Sequence, residues 1–294
     1  DMNLAPHQMH PMELISQGKG NTNLISGYTS SSIGISEQVT LNVGVNAQVL
    51  TLNNSWALEP RAGIKWQFSP KSSFALAYGV HSRMEKMDVY FVKTQGTGDR
   101  SVNKDLGFTR AHHVMLSYGF KISDNMNMKI EPYFQQLYDV PVIADSSYSV
   151  LNRRDFYVEN VLVNRGKGRN IGVDITLERY LNKGLYYMMT ASIFDSKYYG
   201  GDRKWRNTLY NRNFIVNVLG GKEWMVGRDK QNMFSVNFKI TLQGGDRYAP
   251  VDEVATLLDP DREVQYDETK AFSKQFSPMF ITNFSVGYKI NRKK

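Results

Sequence analysis

The sequence predicts an all-β fold, an antiparallel up-and-down sheet of the kind that crosses a membrane as a β-barrel. Three observations predict it: apolar and polar residues alternate along most of the 294 residues, tight turns alternate with long loops, and one side of the strands carries no charge. Alternation with period 2 is typical of strands, and helical periodicity is nearly absent. The chain is therefore expected to form a meander of adjacent antiparallel strands.

Eleven strands follow from the alternation, and most are about twice as long as the roughly 5–6 residues usual in soluble sheets. A tilted strand that crosses a membrane needs about 9–11 residues. Pro132 interrupts one strand, and we expect a bulge or a sheet edge there because proline has no N–H for the ladder. The predicted strands are 24–35, 38–50, 59–68, 72–82, 108–122, 125–138, 168–180, 184–196, 211–225, 231–245 and 277–290.

The connections alternate between short and long. Tight turns contain Asn, Asp, Gly, Pro or Ser, which favour turns, and lie at 36–38, 69–71, 123–125, 181–183 and 227–231. Long loops lie near 83–107, 139–167, 197–210 and 246–276. All tight turns then lie at one end of the sheet and all long loops at the other, as in outer-membrane barrels with periplasmic turns and extracellular loops.

One side of the sheet is predicted to be apolar. In the stretch 169–199, for example, Ile171 and Val173 alternate with Gly172 and Asp174. Across nine strands with clear alternation the apolar stretches, such as Ile171 to Leu177 and Leu185 to Ile193, hold no charged residue on this side, although 22% of the chain is charged. The opposite side carries the charged residues Arg61, Lys65, Lys121, Lys129, Glu131, Asp174, Glu178, Lys239 and Lys289.

The apolar side is expected to face lipid. A soluble β-sandwich would also keep one side apolar, packed on a second sheet. Strand length argues for lipid, as does the position of the aromatic residues, because aromatic rings suit the headgroup layer at the membrane surface. The aromatic residues on the apolar side beside the tight turns are Trp66, Phe68, Phe74, Phe120, Phe234 and Tyr288.

Composition excludes several classes of function. The net charge of +8 does not predict nucleic-acid binding, because Lys and Arg are scattered along the chain. The absence of cysteine excludes disulfides, catalytic thiols and zinc-thiolate sites. No linker divides the chain, so we predict one domain over 1–294. The chain opens without Met and an odd number of strands cannot close a bacterial barrel, so we expect a partial barrel truncated at both ends.

No motif predicts a catalytic, cofactor-binding or metal site. His81 and His113 are expected to approach each other on the polar side, whereas the consecutive His112 and His113 point to opposite sides and cannot share a metal ion. The D-x-D-x-E run at 259–263 offers carboxylates for Ca²⁺ but lacks the glycine that an EF-hand requires at the bend. Solvated side chains are the better interpretation of both.

The chain resembles the TonB-dependent outer-membrane receptors, particularly the Bacteroidetes type. The resemblance implies a 22-stranded barrel, a plug domain that is absent here, and active uptake driven by an inner-membrane energy-coupling complex. This chain would be about half of the barrel. The similar stretches are "LEPRAGIKW" (58–66), "LAYGVHSRME" (76–85), "GRNIGVDITLERYLNKGLYYMMTASIFDSKY" (168–198), "RNTLYNRNFIVNVLGGKEW" (206–224), "GGDRYAPVD" (244–252) and "INRKK" (290–294).

The expected function is part of a receptor, not an enzyme, in the outer membrane of a Gram-negative bacterium, for uptake of a metal chelate such as a siderophore, a peptide or a glycan. Its expected partners are outer-membrane lipid, the plug domain, the TonB complex and an unidentified ligand. Alternatives are an outer-membrane barrel enzyme, a passive porin or a soluble β-sandwich that binds glycans. Residues expected to contact ligand in the vestibule are Arg83, Glu85, Arg203, Trp205, Arg206 and Arg247.

Overall fold

The computed structural model describes residues 18–93, 101–154, 158, 160–260 and 263–291. One antiparallel sheet dominates them, and its long strands follow each other in space as they do in sequence, which confirms the predicted meander. The strands are β1 (Leu24–Gly34), β2 (Val39–Leu50), β3 (Ser55–Ser69), β4 (Ser72–Arg83), β5 (Thr109–Ser123), β6 (Met126–Val142), β7 (Val163–Asn182), β8 (Leu185–Tyr199), β9 (Trp205–Asn207), β10 (Phe214–Val226), β11 (Asn232–Gln243), β12 (Arg247–Tyr248), β13 (Lys274–Gln275) and β14 (Met279–Lys289).

Helical structure is confined to the loops. Two short α-helices, α1 (Met87–Tyr90) and α2 (Glu253–Leu258), and two 3₁₀ turns at Val150–Asn152 and Glu268–Lys270 are present. No helix in the described part of the chain is long and apolar enough to cross a membrane. The regular structure that carries the fold is therefore the sheet.

The short and long connections lie at opposite ends of the sheet, as predicted. Short turns join β1 to β2, β3 to β4, β5 to β6, β7 to β8 and β10 to β11, and this edge is called the turn end below. The other edge, the loop end, carries the connections 84–108, 143–162, 200–213 and 244–278. One connection at the loop end, 51–54, is also short, because β3 begins at Ser55 and not at Glu59.

Strand pairing confirms which residues share a face. Residues opposite each other in an antiparallel pair point to the same side of the sheet. Val173 pairs with Ile193, and Phe234 pairs with Tyr288. From β2 to β14, residues predicted on the apolar side pair with residues predicted on the same side. The sheet therefore has one apolar face, called the convex face, and one polar face, called the concave face.

No second layer covers the convex face in the described residues. Ile193 is 64% exposed and Ile171 is 50% exposed, although both lie on strands with neighbours on each side. The buried apolar cluster lies instead in the loops and the strand ends beside them, and it includes Leu50, Val89 and Phe108. A soluble β-sandwich would bury these convex residues under a second sheet, so this architecture excludes it.

The uncharged band on the convex face has the height of a membrane core. On β7 the outward residues between Arg169 and Arg179 are uncharged, from Ile171 to Leu177. At about 3.3 Å per residue and a tilt of about 40°, the two arginines are separated by roughly 25 Å along the barrel axis. Outer-membrane barrels carry an apolar band of about this height.

Aromatic side chains gather on the convex face at the turn end. The ring centroids of Trp66 and Phe68 are 5.3 Å apart, and those of Trp224 and Phe234 are 5.7 Å apart. Outward Lys222 lies at the same end, and its Nζ donates to the carbonyl oxygen of Lys183 at 2.7 Å. This lysine reaches toward the polar turn and away from the apolar band, as cations at a membrane surface do.

The structure corrects the expectation of a bulge or a sheet edge at Pro132. This residue lies in β6, between β5 and β7, and the strand register does not shift at this position. Pairing with β5 is interrupted between Tyr133 and Ile130, whereas Pro132 still pairs with Val173 of β7. The missing N–H removes ladder contact on one side only, and the pairs on both sides of the gap keep the register. Neither a bulge nor a sheet edge is needed.

Lysine substitutions at two adjacent residues of β7 test the assignment of the faces. Ile175 lies on the convex face at the middle of the band, and Thr176 lies on the concave face. Because a lysine at the membrane midplane costs about 2–4 kcal/mol, Ile175→Lys is expected to lower the free energy of unfolding in lipid vesicles by that amount. Urea titration followed by the gel shift of the unheated protein measures it.

The matched control is Thr176→Lys, which places the same charge one residue away on the polar face. We expect a change within about 1 kcal/mol for this variant, since lumenal substitutions are tolerated. Equal losses of stability in the two variants would contradict the assignment of the faces.

Candidate functional site

The concave face is a continuous surface of hydrogen-bonded polar side chains. Asn170 of β7 donates from Nδ2 to Oε1 of Gln135 on β6 at 3.0 Å, and accepts at Oδ1 from Ser196 Oγ of β8 at 2.6 Å. Farther along the sheet, Thr241 Oγ1 donates to Asn217 Oδ1 at 2.8 Å. Cross-strand bonds of this kind fix the orientation of the polar groups and keep them on the concave side.

A wide groove lies along the middle of the concave face. Its volume is about 1050 Å³, which is larger than the usual site for a small molecule. Glycine and serine positions keep the groove open, and longer polar side chains reach into it. The polar side chains at its wall include Arg61, His81, His113, Asn170, Asp174 and Tyr210. Apolar side chains such as Phe194 and Ile215 share the wall with these polar groups, so the groove suits a large occupant with both polar and apolar parts.

Glu59 is the most densely bonded side chain of this face and is only 3% exposed. Its carboxylate accepts from Nε2 of Gln48 at 2.8 Å, from Nδ2 of Asn46 at 3.0 Å and from the guanidinium of Arg61 at 2.8 Å. It also accepts from the backbone N–H of Ser82 at 2.7 Å. The ladder between β3 and β4 ends near Arg61, so the carboxylate supplies the acceptor that the ladder lacks there.

His81 and His113 meet on the concave face, as predicted. Their ring centroids are 4.5 Å apart. Among the described residues, no three His, Asp or Glu side chains lie close enough together to share a metal ion. Asp261 of the D-x-D-x-E run, considered above for Ca²⁺, lies outside the described residues.

The loops form a connected layer above the loop end. Their apolar side chains pack into the buried cluster, which includes Val89 and Tyr90 of α1 together with Leu162. Asn103 is 1% exposed and joins two loops, because its Nδ2 donates to the carbonyl of Asn160 at 3.0 Å and its Oδ1 accepts from the N–H of Leu162 at 2.8 Å. This amide side chain therefore links loops 84–108 and 143–162, in addition to their apolar packing and the ion pair between Arg153 and Asp88.

Asn211 also joins a loop to neighbouring elements. It is fully buried, donates from Nδ2 to Oδ1 of Asp195 at 2.9 Å and accepts at Oδ1 from the N–H of Ser196 at 3.0 Å. Its carbonyl accepts from Nε of Arg247 at 2.9 Å. Loop 200–213 is therefore joined to both β8 and the loop 244–278.

The six residues expected in the vestibule have different environments. Arg83 lies at the loop end of β4 on the concave side and its side chain is 69% exposed. Arg203 is exposed in the turn between β8 and β9, where its φ is +62°. Arg247 is partly buried and donates through its guanidinium to Asn211 and Asn213. These three arginines do not form one cluster, although all lie at the loop end.

The other three expected residues are engaged with the protein itself. Glu85 is 6% exposed and accepts from Thr109 Oγ1 at 2.9 Å. Arg206 donates two hydrogen bonds to Asp202, at 2.9 and 2.6 Å, and its side chain is 7% exposed. Trp205 is 43% exposed but lies on the convex side of the sheet.

Sequence patterns missed the residues that organise this end of the molecule. Glu59, Asn103 and Asn211 lie at the start of a strand or inside loops, where periodicity carries no signal. Asn103 bonds with residues 57 and 59 positions away in the chain. Only the three-dimensional contacts identify such residues.

Comparison with known proteins identifies solved structures that share this fold. No family model matches the chain, and no curated protein matches it. The ferripyoverdine receptor of the outer membrane of Pseudomonas aeruginosa aligns with a TM-score of 0.64 and 10% identity, over 92% of this chain and 33% of that one. The ferric-catecholate import receptor Fiu of Escherichia coli aligns with a TM-score of 0.61 and 10% identity, over 92% of this chain and 39% of that one.

The outer membrane transporter YddB of Escherichia coli aligns with a TM-score of 0.62 and 11% identity, over 90% of this chain and 38% of that one. These structures are an outer-membrane receptor, an import receptor and an outer-membrane transporter. The chain spans about a third to two-fifths of their lengths. Its fold is that of part of such a receptor barrel.

Removal of the Asn103 amide tests the connection between the loops. Asn103→Ala leaves the buried N–H of Leu162 without its acceptor and removes the donor to the carbonyl of Asn160, which costs about 1–3 kcal/mol. We expect faster hydrogen exchange and proteolysis in loop 143–162, with strand exchange unchanged. The control is Asp105→Ala, which removes an exposed side chain from the same loop. Equal effects of the two substitutions would contradict the role of Asn103.

The ion pair of Asp202 and Arg206 predicts a pH dependence. The hydrogen bonds from Arg206 hold the pKa of Asp202 below its ordinary value of 3.8. The pair therefore stabilises the loop fully above this value, and the contribution is lost as the pH falls through the lowered pKa. We expect Asp202→Asn to lower the unfolding free energy by about 1–3 kcal/mol at pH 7 and by less at pH 2.

Urea unfolding at the two pH values measures this difference, and Asp105→Asn serves as an exposed control. A loss of stability in Asp202→Asn that is the same at both pH values would contradict the account of the pair.

Proposed function

We propose that this chain, over 1–294, forms part of the barrel wall of a TonB-dependent receptor in the outer membrane of a Gram-negative bacterium. The observation that carries the proposal is the contrast between the two faces of one sheet. On β7 the convex face is uncharged over the height of a membrane core and is not covered by described polypeptide, whereas the concave face is polar. The aligned receptors and transporters support the same function.

The whole protein is proposed to take up a large nutrient, such as a metal chelate, a peptide or a glycan. The groove of about 1050 Å³ on the concave face supports a bulky cargo and a plug domain as its neighbours. Because cross-strand bonds fix the side chains of this wall, the wall itself is expected to stay rigid. The moving partners are then the plug and the TonB energy-coupling complex.

A transporter is favoured over an enzyme. The structures that align with this chain are receptors and transporters. Hydrolytic catalysis requires a nucleophile hydrogen-bonded to a base that a third group orients. On the concave face, Ser82 Oγ donates to Glu59 at 2.5 Å, and that carboxylate is occupied by other donors. His81 and His113 contact each other with their rings tilted by 39°.

Ligand contacts are proposed at the exposed arginines of the loop end. Arg83 reaches the concave side beside the groove, and Arg203 is exposed at the tip of a turn. Arg247 borders the same loop layer. Glu85 and Arg206 are proposed to act indirectly, because each holds a loop in position through buried hydrogen bonds.

Energy dependence tests the proposed transport. A strain that lacks the full-length gene is compared with its parent on ferric chelates, peptides and glycans, each as the sole source of one nutrient. We expect the deletion to abolish growth on one of these classes, and a protonophore to abolish uptake of the same labelled nutrient by the parent. Uptake that continues in the presence of the protonophore would indicate a passive porin and contradict the proposal.

A further inference from the structure

Six side chains form a group on the convex face at the loop end, called the convex basic cluster below. Strand pairing places them together, because Lys167 is opposite Tyr199, Tyr199 is opposite Trp205, and the ladder runs without a register shift down to the apolar band. Five of them belong to β7 and β8, which have neighbours on each side, and Trp205 belongs to β9, which pairs with β8. The members are Lys167, Arg169, Asp195, Lys197, Tyr199 and Trp205.

Aromatic rings hold two of the cations in place. The Nζ of Lys167 lies 5.6 Å from the ring centroid of Tyr199, and the guanidinium of Arg169 lies 5.4 Å from the ring of Trp205. The two rings are 5.5 Å apart. A cation over an aromatic face is stabilised without a carboxylate partner, so these contacts orient the charges and leave them unneutralised.

The cluster carries an excess of positive charge. Three cations and the single acid Asp195 give a net charge of +2. Asp195 is already engaged, since it lies 3.3 Å from the Nζ of Lys197 and accepts from Asn211. Over the ranges that the structure describes, no carboxylate lies within ion-pair distance of Lys167 or Arg169. An anion from outside the sheet would complete the cluster.

The height of the cluster indicates where that anion lies. Arg169 is the next outward residue beyond Ile171, where the uncharged band ends. A cation at this level stands in the headgroup layer when the band spans the lipid core, and Tyr and Trp favour the same layer. Phosphates of lipid headgroups are anions at this height. At the turn end, by contrast, Lys222 is already bonded to a turn carbonyl.

We propose that the convex basic cluster binds the phosphate of a lipid headgroup in the leaflet at the loop end. Lys167 and Arg169 supply the charge, Lys197 assists at the edge of the apolar band, and Tyr199 and Trp205 keep the cations directed at the membrane surface. The binding fixes the height of the barrel in the bilayer. The proposal rests on the membrane location proposed above.

Lipid retention tests the proposal. The full-length protein is inserted into phosphatidylcholine vesicles with and without phosphatidylglycerol, and retained lipids are counted by native mass spectrometry. We expect preferential retention of phosphatidylglycerol, and a roughly tenfold fall of that preference in the triple variant Lys167→Gln, Arg169→Gln, Lys197→Gln, since each cation near an anionic surface contributes to binding. If the triple variant does not insert, Lys197→Gln alone is expected to show a smaller fall.

The matched control removes the same charge from the concave face, with Lys65→Gln, Lys239→Gln and Lys289→Gln. The control is expected to keep the lipid preference. An equal loss in the control, or no preference in the wild-type protein, would overturn the proposal. So would saturation of the cluster by inorganic phosphate in vesicles of pure phosphatidylcholine, which would indicate a site for a soluble anion. Failure to insert into either vesicle would instead refute the membrane location.

Discussion

The proposed contact with lipid is the constraint on which the rest of this structure depends. Inside a bilayer every backbone N–H and C=O must find a partner within the protein, and side chains that face the acyl chains must be uncharged. A sheet satisfies the first condition through its ladders, and alternation with period 2 satisfies the second on one face. The other face is then free to carry polar residues. Both faces of β7 follow from this condition, with Ile171 and Val173 outward and Asn170 and Asp174 inward.

The same constraint explains where apolar packing occurs. A sheet that presents its apolar face to lipid has no core of its own. The buried cluster therefore lies at the loop end, where the chain is in contact with water. There the loops are held by a few buried amides and ion pairs. Asn103 connects loop 84–108 to loop 143–162, and Asn211 connects loop 200–213 to β8 and to loop 244–278. Exposed arginines such as Arg83 are carried on this rigid layer, which favours a wall that positions ligands over one that moves.

Sequence periodicity predicted the strands because each long strand obeys one rule along its whole length. Periodicity did not predict the strand ends, where pairing continues into residues that do not alternate. β3 begins at Ser55, four residues earlier than predicted, and β7 begins at Val163, five residues earlier, because loop residues continue the pairing beyond the alternating stretch. The burial of Glu85 and Arg206 depends on Thr109 and Asp202 and on the packing of loops above them. Charged residues in loops look alike in sequence, so composition could not separate buried partners from exposed ones.

The lipid-facing assignment is tested most directly by spin labels placed singly at 171 to 177 along β7 of the full-length protein in bilayers. Collision with oxygen reports lipid, and collision with a water-soluble nickel chelate reports water. The account predicts that the labels at 171, 173, 175 and 177 are accessible to oxygen and those at 172, 174 and 176 to the chelate or to neither. Labels at the odd positions that are immobile and inaccessible to both reagents would show polypeptide packed on the convex face and would contradict the account.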